Sequence, residues 1–130
     1  MDDALRLRSS LAFTETLARL RAALEGRGFR IFAEIDHRAA AAEVGIEMPP
    51  TTVILYGNPR GGTPLMLAAP DFALELPLRV LVRQDADGTT RVTLNAASTL
   101  EGRHGLPGGI AGRLAPAEQV IADALGGRKP

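Results

Sequence analysis

Apolar positions recur along this chain first with the period of a strand and then with that of a helix. Leu5 and Leu7 alternate with Arg6 and Arg8, which predicts a half-buried strand close to the start of the chain. Phe13, Leu17, Leu20 and Leu24 then follow at helical spacing, with Thr14 as the expected N-cap and Gly26 and Gly28 placed to end the helix. Residues 29–35 return to alternation, which puts Phe29, Ile31, Ala33 and Ile35 on one face and Arg30, Phe32 and Glu34 on the other. Asp36 is expected to cap a short alanine-rich helix over residues 37–44 that Gly45 closes, and Pro49-Pro50 prevents its continuation. Residues 51–56 are β-branched and apolar at both parities, which predicts a central strand covered on both sides.

Beyond Gly57 the pattern is punctuated by proline and glycine. Thr63-Pro64 reads as a cap followed by the first helical position, and Pro70 interrupts that helix, with Asp71 starting a further turn. Pro77 opens a strand with Leu78, Val80 and Val82 on one face and Arg79 and Arg83 on the other. Asp87-Gly88 turns the chain into residues 90–95, the best hairpin in the sequence. Residues 96–115 are glycine-rich and read as a long irregular segment, after which Pro116 starts a last helix that Gly126-Gly127 ends. Residues 128–130 read as a frayed tail. The expected fold is a single α+β domain over residues 1–130, a two-layer sandwich of about five strands in a mixed or antiparallel sheet with three to four helices.

Composition narrows the functional classes. The 130 residues are 45% hydrophobic and carry fifteen basic against fifteen acidic side chains, with four Phe and one Tyr, so neither a phosphate-neutralising stripe nor a base-stacking platform is present and no nucleic-acid partner is expected. The complete absence of cysteine excludes disulfides, thiolate nucleophiles and zinc ribbons and suits a reducing compartment. Met1-Asp2-Asp3 is acidic where a secretory signal is basic, and no apolar run has the length of a membrane span, so the expectation is a cytoplasmic protein with no membrane partner, no cofactor and no metal.

Three places carry residues with chemistry to offer. The segment Gly57-Asn58-Pro59-Arg60-Gly61-Gly62-Thr63-Pro64 lies between a strand and a helix, where the amides of Gly61, Gly62 and Thr63 would face an anion and Arg60 would add a guanidinium. Its glycine spacing imitates part of a phosphate-binding loop, but Thr63 stands in place of the required lysine and Pro64 in place of the hydroxyl, which excludes a nucleotide triphosphatase. The plain alternative is a tight turn. Asp36-His37 offers a histidine with a neighbouring carboxylate for acid–base work, against the simpler reading of Asp36 as a cap and His37 as an exposed first-turn residue. His104, between Arg103 and Gly105, is a ligand or a solvated loop residue; with only two histidines, a metal site would need Asp36 or Glu101 brought in by the fold.

The ordered series Gly28-Phe29, Glu34-Ile35-Asp36-His37, Ala41-Ala42-Glu43-Val44-Gly45, Gly57-Asn58-Pro59 and Gly61-Gly62-Thr63-Pro64-Leu65-Met66 resembles domain-of-unknown-function family 302. Leu76-Pro77-Leu78-Arg79-Val80-Leu81-Val82 continues the likeness, which covers residues 13–95 with a weaker echo at Arg103-His104-Gly105-Leu106. The chain departs from the family pattern after Val92, where Thr93-Leu94-Asn95-Ala96 replaces a more typical aromatic residue followed by Asn and Pro. The resemblance implies a small α+β domain that forms homodimers, in bacterial and archaeal proteins, with Asp36, His37, Asn58, Pro59, Thr63 and Pro64 as signature positions. The leading expectation is therefore a domain binding a small anionic ligand where Asn58, Arg60, Gly61, Gly62 and Thr63 approach His37. One alternative is an enzyme using His37, oriented by a carboxylate such as Asp36, as general acid or base. The other is a structural or interaction domain.

Overall fold

In the computed structural model, which describes residues 4–126, the alternating segments pair into one sheet. Strand β1 spans Ala4–Ser9, helix α1 Phe13–Gly26, strand β2 Arg30–Asp36, helix α2 His37–Glu43 and strand β3 Thr51–Gly57. Helix α3 covers Pro59–Ala68 and leads through a 3-10 turn at Pro70–Glu75 into β4, Leu78–Gln84, and β5, Thr90–Asn95. Three short 3-10 turns, at Ala97–Leu100, Arg103–Gly105 and Ala111–Leu114, occupy the segment expected to be irregular, and α4, Pro116–Ala124, follows. The sheet order is β1-β5-β4-β3-β2, and every pair is antiparallel, so the described residues form an α+β fold of five strands and four α-helices. Gly126 has φ +78°, fitting the end of α4; Gly127, the tail and Met1-Asp2-Asp3 lie outside the described residues.

Strand parity decides what the sheet buries. Ile54 and Tyr56 of β3, Val80 and Val82 of β4 and Val92 and Leu94 of β5 form one face, packed against Leu17, Leu20 and Leu24 of α1 and Val120 and Ile121 of α4. Each such side chain contributes roughly 1.5–3 kcal/mol through its removal from water. A smaller cluster, built on Leu65 of α3 with Phe72, Leu100, Leu106 and Ala111, ties the short turns to the end of the sheet.

The opposite face is not covered as the sequence predicted for β3. Val53 and Leu55 lie in register with Leu81 and Arg79 on β4 and with Ile35 and Ala33 on β2, and all six are half-buried or exposed. Apolar residues at both parities of a strand resemble the signature of a two-sided core, but here the second set belongs to an open sheet face.

Other departures are local. Helix α1 begins one residue before the expected cap, after Ala12, because Thr16 is buried and its hydroxyl bonds the Ala12 carbonyl at 2.9 Å and the Ser9 hydroxyl at 2.7 Å. In β2 the register shifts between Ile31 and Ala33, which leaves Phe32 as the extra residue of a β-bulge. One added residue reverses the alternation beyond it, so Ile31 opposes Tyr56 on the helix-covered face while Ala33 and Ile35 emerge on the open one. Helix α3 starts at Pro59, four residues before Thr63, and Pro64 lies within it.

Candidate functional site

The β3–α3 junction is built by Asn58. Its side-chain oxygen accepts from the Arg60 amide at 3.0 Å, and its carbonyl accepts from Gly61 at 2.9 Å and Gly62 at 2.8 Å. Pro59, at the first helical position, has no N–H to satisfy. Two of the three amides that the sequence reading offered to an anion, those of Gly61 and Gly62, are thus engaged within the cap itself, because the helix begins earlier than Thr63-Pro64 suggests. Arg60 is exposed.

What the junction borders instead is a cavity of about 500 Å³. Asn58, Gly61, Gly62 and Thr63 form one wall, and Phe29, Phe32, Met66, Leu76 and Leu78 make the remainder predominantly apolar. Two glycines permit this close packing. A Cβ on Gly57 would stand 3.3 Å from Phe32 Cε2, and one on Gly62 3.3 Å from Leu76 Cδ1. The turn at Ala111–Leu114 supplies the last side, with Arg113 lining the cavity. Among the described residues Arg113 makes no ion pair.

Arg60, Asp36 and His37 are not among the lining residues. The register explains the separation: Gly57 pairs with Arg30 and Asp36 with Thr52, at opposite ends of the β2–β3 hairpin, about 20 Å apart at the usual rise per residue. The expected approach of the loop to His37 does not occur. Asp36 instead caps α2 by accepting from the Ala39 amide at 2.9 Å, and His37 is exposed.

His104 has a defined environment that sequence spacing did not disclose. Its Nε2 lies 2.8 Å from Glu75 Oε2, its ring meets that of buried Phe72 edge-on at 6.4 Å, and its backbone has φ +57°. Arg103 Nη1 approaches the same carboxylate at 3.6 Å. The hydrogen bond to His104, with the nearby Arg103 charge, holds the Glu75 carboxyl below its ordinary range. No group of three or more metal-ligating side chains occurs among the described residues.

An all-antiparallel five-stranded sheet with its long helices on one face defines a two-layer α+β protein. The same fold is found in an uncharacterized conserved protein from Bacillus stearothermophilus, whose crystal structure superposes with a TM-score of 0.81 at 21% identity and covers 96% of this chain and 97% of that one. The model of the family described as "Domain of unknown function DUF302" matches residues 5–125, and the chain belongs to that family. It is also similar to proteins named fluoride-specific ion channel FluC 1 in Brucella suis biovar 1 (strain 1330) and Brucella abortus biovar 1 (strain 9-941), each 39% identical over 92 residues, or 71% of this chain. The chain spans only 36% and 34% of the length of those two relatives. No helix among the described residues is long and apolar enough to cross a membrane.

Proposed function

We propose that this domain binds a small amphipathic anion, its apolar body filling the cavity beside the β3–α3 junction and its charged group facing Arg113, with Asn58 and Thr63 as further polar contacts. The observation that carries this reading is the cavity: about 500 Å³ enclosed mainly by aromatic and aliphatic side chains with a few polar groups, the usual make-up of a small-molecule site. The anionic preference rests on Arg113, a guanidinium without an ion-pair partner among the described residues. Arg60, which the sequence nominated for that role, becomes the control.

Ligand-observed NMR against aromatic and medium-chain carboxylates tests the reading. Arg113→Gln is expected to weaken carboxylate binding about tenfold while sparing the matching alcohols, and Arg60→Ala to change neither. Ala73→Phe, at an exposed position on the cavity lining, is expected to block both ligand types. If no compound binds at about millimolar concentration, or the Arg113 variant retains full carboxylate affinity, the reading is wrong. The name of the Brucella relatives places sodium fluoride in the same panel as the smallest anion; for this chain the proposal is binding, not conduction.

We further infer a second copy of the chain as partner. Edge strand β2 has six of its seven residues exposed, α2 has no buried residue, and Ile35 on β2 with Val44 and Ile46 just after α2 are exposed apolar side chains. The cysteine-free sequence supports a cytoplasmic location as part of the same reading.

A further inference from the structure

The open face of the sheet carries a charge pattern that the sequence scatters and the strand register assembles. On β1, β5 and β4 the buried side chains alternate with Arg6 and Arg8, Arg91, and Arg79 and Arg83, so these five arginines emerge on the face that the helices leave bare. Arg8 lies beside Arg91 and Arg91 beside Arg83, one row across three strands about 4.8 Å apart. Val53 and Leu55 of β3 and Leu81 of β4 continue the same face as an aliphatic block, with Leu81 between Arg79 and Arg83 along its own strand.

The formal net charge of the whole chain is zero, yet none of the strand positions on this face holds a carboxylate. Glu34, the acidic residue of β2 that could have joined them, falls on the helix side and pairs with Arg21 of α1. Asp85, in the turn after β4, answers part of the charge by accepting from Arg91 at 2.7 Å and from Arg83. Arg8 and Arg79, both exposed and at opposite ends of the face, make no ion pair among the described residues. They lie one row beyond Leu81 in either direction, a separation along the strands of about 13 Å.

Cations beside an aliphatic block select an occupant. A second copy presenting the same face would set guanidiniums against guanidiniums. A flat bilayer would meet the long arginine side chains before the shorter valine and leucines. A nucleic acid would leave the aliphatic block without an apolar partner, on a face where β1, β3, β4 and β5 offer no aromatic ring to a base. An amphipathic helix, at about 10 Å across, spans two strands and matches both characters. We propose that the open face docks an acidic amphipathic helix of a partner protein, its apolar stripe on Val53, Leu55 and Leu81 and carboxylates about 11 Å apart, two helical turns, on Arg79 and Arg8.

This face is separate from the cavity beside the β3–α3 junction and from the outer edge of β2, and its test keeps them apart. The probe is a synthetic helical peptide of about eighteen residues with leucines on one face and glutamates along both flanks, titrated into the isotopically labelled domain and followed by NMR. Saturating shifts are expected at the amides of Val53, Leu55 and Leu81, with binding about tenfold tighter than that of matched peptides carrying lysine for glutamate or alanine for leucine. Arg79→Glu and Arg8→Glu, at exposed positions, should each weaken the peptide about tenfold with an unchanged circular dichroism spectrum, and Ala73→Phe should leave it unaffected. Phosphatidylglycerol vesicles and a DNA duplex are expected to bind more weakly than the peptide, and Arg79→Glu to keep the parent's mass in light scattering. The proposal is overturned if the peptide does not bind at about 1 mM, if the lysine peptide binds as well, if the shifts fall elsewhere, or if Arg79→Glu binds like the parent. Tighter binding of vesicles or duplex that Arg79→Glu abolishes would give the face to that partner instead, and a changed mass would give it to a second copy.

Discussion

Glu75 shows how one carboxylate can organise a segment with little regular structure. It joins the turn at Pro70–Glu75 to the turn at Arg103–Gly105 through His104, whose left-handed backbone and contact with Phe72 fix the imidazole over the smaller apolar cluster. Its folded pKa is lowered, so the stabilisation is fully present above the ordinary glutamate value of 4.5 and is lost as pH falls through the lower folded value. Thermal melts from about pH 7 to about pH 2 should show Glu75→Gln less stable than the parent by on the order of 1 kcal/mol near neutrality, with the difference closing in acid. A constant difference across that range would assign the effect to packing. Sequence weighed His104 as a metal ligand against a solvated or backbone-bonded loop residue, preferred the latter, and did not reach the carboxylate, because Glu75 lies twenty-nine residues away and only the fold makes them neighbours. Arg113 escaped for the same reason: its place in the chain looks ordinary, and it lines a cavity only where several elements converge.

At the scale of elements, cap chemistry was readable but its position was not. Two Xaa-Pro pairs, Asn58-Pro59 and Thr63-Pro64, compete for the start of α3, and the structure uses the first, so the helix gains its opening turn at the cost of a proline in its interior. Asn58→Ala should destabilise the protein by about 1 kcal/mol, with Asn58→Asp largely restoring it and Thr63→Ala nearly silent in chemical denaturation. The reverse ranking would move the functional start of the helix to Thr63. Hydrophobic period found all five strands, and Asp36, Gly45 and Pro116 stand where their caps and helix starts were expected. The β2 bulge was illegible, since an inserted residue leaves the alternating letters intact and changes only which face they reach.

For the whole molecule, four of the six large apolar side chains left exposed among the described residues, Phe32, Ile35, Val44 and Ile46, lie on edge strand β2 or just after α2, the other two being Leu67 and Leu74. Edge strand β2, with its outer backbone edge unpaired in the sheet and Ile35 42% exposed on the open face, is where the proposed second copy would pair. Light scattering at micromolar protein should give a mass of twice 13.7 kDa, and Ile35→Lys should give the single-chain mass with an unchanged circular dichroism spectrum. A parent protein that is monomeric there would remove the pairing proposal while leaving the cavity beside the β3–α3 junction as it is. The layered α+β class was legible because alternation and helical spacing are local signals; the bare second face was not, because exposure depends on what the rest of the chain fails to cover. The strand order also dictates a sequence of events during synthesis. From β3 to β5 each strand pairs with its immediate predecessor, so that part of the sheet can grow strand by strand while the chain emerges. Strand β1 is made before the other four, yet its neighbour in the sheet is β5, so the first of these five strands to leave the ribosome is the one that must wait for the last of them.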